Sequence, residues 1–242
     1  MTSNVEHAGP LAGASPARAW QVAGWSVTPR AVEALRVGFP GAAVAGVCLV
    51  VAPLLAVVGS ALGIDIYHAK GAAFVAGMVA HPDRMNLAIQ LALAAMVLMV
   101  FAVAGLATMI SASRPGWGRT AGVVTVVGLC GPISFESTYW GAWHLLGSGA
   151  QRAAAAHMID QSQIIPRTIM NVSGPALVVG FLLLAIGAAR AGVLRRPQAV
   201  FLGLTCVVPA GFISGHLVIA VIAFAACAVA TVPLGVGLLR RT

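Results

Sequence analysis

The chain has 242 residues, of which 60% are hydrophobic and only 8% charged, with a mean hydropathy of +0.95. Too few polar side chains are present to cover a water-soluble globule of this size, so a soluble domain is excluded and a polytopic membrane protein is indicated. The net charge of +8 comes from 14 basic and 6 acidic residues, and the bases stand singly or in pairs between apolar runs. That is a signal of membrane topology, not a nucleic-acid surface.

Residues 1–28 are rich in Ala, Gly, Ser and Pro and read as a loose polar tail. Trp20 and Trp25 suit the headgroup layer. The tail does not read as a signal peptide, because the apolar run after it is too long for an h-region. Pro29 is placed to begin a short helix that carries Arg30, Glu33 and Arg36.

The remainder, 29–242, reads as one all-α transmembrane domain. Helix one is expected over Val37 to Ala61, with Pro53 as a potential kink. Asp65, His68 and Lys70 end that run, and Ala69 to Ala80 suits a short interfacial helix. His81-Pro82-Asp83 reads as a turn, with Asp83 or Asn86 capping helix two over Asn86 to Ile110. Helix three is expected over Ala121 to Leu146. Gly147 to Thr168 is too polar to span and suits a surface helix carrying His157 and Asp160. Helix four covers Ile169 to Ala189, with a bend at Gly174-Pro175.

Ala199 to Leu239 then runs without a charge for 41 residues, about twice what one straight spanning helix needs. Two helices fit, Ala199 to Gly211 and His216 to Leu239, joined through the turn residues between Pro209 and His216. Six helices with both termini in the cytoplasm make the charges intelligible. Arg18, Arg30, Arg36, Arg114, Arg119, Arg190, Arg195, Arg196, Arg240 and Arg241 then lie inside, and Lys70, Arg84, Arg152 and Arg167 outside. A five-helix reading leaves Arg240 and Arg241 outside.

Four cysteines, Cys48, Cys130, Cys206 and Cys227, all fall in apolar runs without a CxxC pair, so they read as reduced packing residues.

Helix three holds the candidate site. Glu136 lies among Ile133, Phe135, Tyr139, Trp140 and Trp143, with His144 following. Entry at Ala121 puts this carboxylate about 22 Å into a hydrocarbon core of about 30 Å. An acid at that depth must face other helices or a wet cavity. Positions 132, 136, 139/140 and 143 share a helical face. The same topology brings Asp65, His68, His81, His157, Asp160 and His216 to the outer side.

Two functional readings follow. In the first, an outward-opening cavity floored by Glu136 and lined by Tyr139, Trp140, Trp143 and His144, with His216 and Asp65 at its rim, binds a small or lipid-like ligand. In the second, Glu136 is a general acid acting on an apolar isoprenoid-like substrate, with Asp65 or Asp160 receiving a proton at the end and the aromatic faces stabilising a developing cation, as in an isomerase or cyclase. That chemistry is similar in outline to integral-membrane terpene cyclases. A metal-dependent version would need His144, His157 and His216 to converge. No compact metal motif occurs, and no cofactor is called for. The expected partners are the bilayer and such a ligand. Transport is disfavoured by the short chain and the lack of an internal repeat. The sequence is neutral on a homo-oligomer.

Ala52-Pro53-Leu54-Leu55, Val79-Ala80-His81-Pro82-Asp83-Arg84, the basic turn Arg114 to Arg119 and the closing Gly237-Leu238-Leu239-Arg240 resemble a broad group of uncharacterised multi-pass membrane proteins of high-GC bacteria. The resemblance implies a six-helix body in the bacterial cytoplasmic membrane and carries over no catalytic residue.

Overall fold

The computed structural model describes residues 29–65, 71–161, 165–214 and 216–241. The tail, with Trp20 and Trp25, and the expected run end at His68 and Lys70 lie outside the described residues. Within them the chain is all-helical: α1 (Pro29–Val37), α2 (Ala42–Leu62), α3 (Gly71–Ala80), α4 (Pro82–Ser111), α5 (Pro115–Trp143), α6 (Gly149–Gln161), α7 (Ile165–Arg190), α8 (Arg196–Leu204), α9 (Val208–Ser214) and α10 (Leu217–Leu239). Five of these helical stretches are long and apolar enough to cross a membrane: α2, α4, α5, α10 and the Asn171–Arg190 part of α7. The protein is a polytopic membrane-helix bundle.

The bundle closes on itself in chain order. α2 packs on α4, α4 on α5, α5 on α7, α7 on the α8–α9 pair, that pair on α10, and α10 back on α2. Successive long helices run antiparallel, because Gly46 near the start of α2 meets Gly235 and Leu239 near the end of α10, while Gly59 near the end of α2 meets Ala88 and Ala92 of α4. Arg36, Arg114, Arg119, Arg190, Arg195, Arg196, Arg240 and Arg241 therefore collect at one end. Asp65, Asp83, Arg84, Glu136, Arg152 and Asp160 belong to the other end, where α3 and α6 form a cap.

In hydrocarbon, apolar contact gives helices little reason to associate, so close packing over small residues does that work. At the α5–α7 crossing a side chain on Gly128 would strike the backbone of Leu177, and one on Gly180 would strike Thr125. Towards the arginine-rich end, Trp117 lies over Gly187 and donates its indole N–H to the Leu183 carbonyl at 2.7 Å. The Arg190 guanidinium stands 5.4 Å from the centre of the same ring.

Proline placement explains two features. Pro53 lies inside α2 and has no N–H for the carbonyl four residues back, that of Leu49. The Thr231 hydroxyl of α10 lies 2.9 Å from that carbonyl and 2.9 Å from the Cys227 carbonyl of its own helix. The Cys227 carbonyl already faces a helical N–H, so the Leu49 oxygen is the one in need of a donor. Thr231 is 3% exposed, so water does not serve instead. The second feature is the break between α8 and α9. Pro209 cannot bond the Thr205 carbonyl, and its ring crowds it. The chain tightens into a 3₁₀ turn over Thr205–Val207, with the Val208 N–H donating to the Thr205 oxygen. The expected turn at Pro209–His216 is thus preceded by a break one turn earlier.

Helix two begins earlier than expected. Pro82 opens α4 after His81, so neither Asp83 nor Asn86 forms its cap, and Asn86 instead accepts from Gln90 Nε2 at 3.0 Å. Helix three likewise begins at Pro115, ahead of Ala121.

Replacing Thr231 by Val should cost about 1–3 kcal/mol, the penalty of an unpaired buried carbonyl. In a Pro53→Ala background, where residue 53 regains its N–H, the same replacement should cost clearly less. Thermal unfolding of the four proteins in one detergent measures the coupling; equal costs in both backgrounds would contradict the assignment.

Candidate functional site

The site is the capped end. Its core is separate from that of the bundle and joins Phe74, Val75 and Met78 of α3, Met85 and Ile89 of α4, Ala142 of α5, and Ala155 and Ile159 of α6, with Tyr139, Trp140 and Trp143 packed against them. Phe74 stacks on Tyr139 at 4.8 Å between centroids and 26° between planes, and Phe135 lies 6.2 Å from Tyr139. Two short helices are too small to hold a fold alone, and these aromatic contacts with α5 fix them.

Glu136 is 5% exposed, the most buried carboxylate among the described residues. Tyr139 follows it one turn on in the same helix. Because α5 starts at Pro115, Glu136 stands about 32 Å from the helix start and about 10 Å from its end at Trp143. It therefore lies nearer the capped end than an entry at Ala121 implies, where the bundle meets the aromatic cluster. Glu136 is turned inward, while Ser137 beside it is exposed.

The remaining predicted residues divide. Trp143 and His144 line an open groove of about 410 Å³ together with Met78, Val79, Pro82, Leu146, Gly147 and Arg152. Trp140 meets the His144 ring edge-on at 5.2 Å and 77°. Glu136 and Tyr139 belong to the packed side of α5, not to the groove lining. His216 precedes α10 and is exposed.

Asp65 and Asp160 occupy structural positions. Asp65 is exposed and accepts from Arg84 Nη2 at 2.8 Å, while Arg84 Nε donates to the Leu62 carbonyl at 2.7 Å, so Arg84 ties the end of α2 to the start of α4. The Asp160 carboxylate lies where a side chain on Gly71 would stand, against the first residue of α3. A negative charge there complements the helix N-terminus, and the positive φ of 45° at Gly71 suits glycine. Among the described residues no three His, Cys, Asp or Glu gather closely enough to hold a metal ion, so the convergence of His144, His157 and His216 does not occur.

Sequence reasoning missed Met78, Val79, Pro82 and Arg152. The signal for Arg152 was its position in a polar segment beside an aromatic helix end. The residues of α3 gave none, since their approach to α5 depends on how the cap folds.

Comparison with protein-family models, curated proteins and solved structures gives no match for this chain.

If Asp160 and Gly71 hold the cap, Gly71→Ala or Asp160→Ala should raise hydrogen exchange in α3 and α6 and leave the bundle helices unchanged. Mass-resolved exchange in detergent checks this, and uniform protection in both segments would contradict it.

Proposed function

We propose that this polytopic membrane protein binds a small or lipid-like ligand at the capped end of its bundle, and that this end faces outward from a bacterial cytoplasmic membrane. The observation that carries the reading is the groove between α3, α4 and the α5–α6 turn, with Met78, Val79, Pro82, Trp143 and Leu146 as apolar lining and His144 and Arg152 as polar lining. Its volume falls within the usual range of small-ligand sites, and an apolar lining with few polar groups is their usual chemistry.

The orientation rests on charge. Eight described arginine side chains share the uncapped end, the arrangement expected of a cytoplasmic face. The same count favours six crossings and both termini inside. For that, α8, the 3₁₀ turn and α9 together make the fifth crossing. The segment Arg196–Ser214 is about 28 Å long if measured as continuous helix, close to the hydrocarbon thickness, and packs between α7 and α10. The affinity with multi-pass proteins of high-GC bacteria belongs to this reading.

The enzyme alternative draws on the burial of Glu136 near the aromatic cluster. It lacks a second acid at hand, because Asp65 is engaged by Arg84 and Asp160 sits on α3.

Protein purified in a mild detergent and extracted with organic solvent should release a defined amphiphilic compound. Trp143→Ala should lose at least about tenfold of it, and Glu136→Gln should retain it. Equal recovery from all three proteins would contradict the groove. Turnover of the released compound by the natural chain but not by Glu136→Gln would favour the enzyme.

A further inference from the structure

We infer that the groove selects an amphiphile with an anionic head group, an anionic phospholipid taken from the surrounding leaflet. This rests on the ligand-binding reading above and adds the sign of the ligand's charge. The charged or titratable side chains lining the groove are Arg152 and His144, and no carboxylate lines it. The described acids at this end are otherwise disposed. Asp65 pairs with Arg84, Asp160 lies against α3, and Asp83 stands in the first turn of α4, where a negative charge suits the helix dipole. Glu136 is buried away from the lining.

Arg152 is also positioned. Its Nε donates to the Leu146 carbonyl at 3.1 Å, which fixes the stem of the side chain against the α5–α6 turn. A guanidinium anchored through Nε still carries two terminal nitrogens, and their planar fork matches two oxygens of a phosphate. The exposed His144 ring stands on the same groove, held edge-on by Trp140. Both follow the end of α5, the level at which a leaflet carries its head groups, and Trp143 is of the residue type that favours that layer. Met78, Val79, Pro82 and Leu146 then receive the glycerol region and the first part of a chain, while the open side leaves the rest in lipid. A zwitterionic head group would bring its ammonium to a groove with no carboxylate to meet it.

The test is native mass spectrometry of the full chain in neutral detergent, titrated with lysophosphatidylglycerol or lysophosphatidylcholine of equal chain length. Lipid held at the arginine-rich end gives a background common to all variants. The natural chain should bind the anionic lipid about tenfold more tightly than the zwitterionic one, which corresponds to about 1.4 kcal/mol. Arg152→Glu should abolish the preference, and Arg152→Gln, a milder change, should reduce it. Val79→Trp, which fills the groove, should remove binding of both lipids down to the background. Equal affinity for the two lipids in the natural chain, blocked by Val79→Trp, would overturn the charge selection and leave the ligand-binding reading standing. Binding unaffected by Val79→Trp would overturn both. Complete displacement of the anionic lipid by inorganic phosphate would assign the site to a free anion and overturn the lipid.

Discussion

The bond between the Thr231 hydroxyl and the Leu49 carbonyl joins the last long helix to the first, across 182 residues of chain. It exists because Pro53 leaves that carbonyl without its helical donor at a point buried within the bundle, where Leu49 and Thr231 are both under 5% exposed. Ring closure between α2 and α10 thus rests on a backbone requirement, supported by the glycine contacts of Gly46 and Gly235. With the ring closed, α5 and α7 meet through Gly128 and Gly180, and that contact sets where the far end of α5 emerges. The position of Glu136 and of the aromatic rings follows from it.

The capped end differs in kind from the bundle. Its core centres on the aromatic stack of Phe74 and Tyr139 with Met78 and Met85, whereas the bundle core mixes Leu, Met and Phe with many Ala and brings its helices close at Gly crossings. Small residues permit close helix approach in lipid, while aromatic stacking holds two short helices at the boundary with water. A groove between the two regimes is a natural consequence, because the short helices cannot follow the bundle's close packing.

The membrane class, the long apolar helices and the burial of Glu136 were legible in the sequence because each is written locally, in hydropathy and in one isolated acid. The start of α5 was not, because its first residues, Pro115–Gly118, hold two glycines and show no apolar period, and Gly118 packs closely on Ala107 and Ser111 of α4. Pro53 was visible as a kink, but its remedy, Thr231, lies too far along the chain for any periodicity to reveal. Asp65 and Asp160 read as candidate proton acceptors. Their partners, Arg84 and the start of α3, come from packing across turns. The groove was half visible, through Trp143 and His144 at the end of α5, and its opposite wall on α3 was not.

The proposed function requires the capped end to lie outside and α8–α9 to complete an even number of crossings. Single cysteines at positions 148 and 240, in an otherwise cysteine-free chain, can be tested on intact cells with a membrane-impermeant thiol reagent. Position 148 should label at once, and position 240 only after the cells are permeabilised. Labelling of both positions from outside would contradict the account, since α8–α9 would then fail to cross.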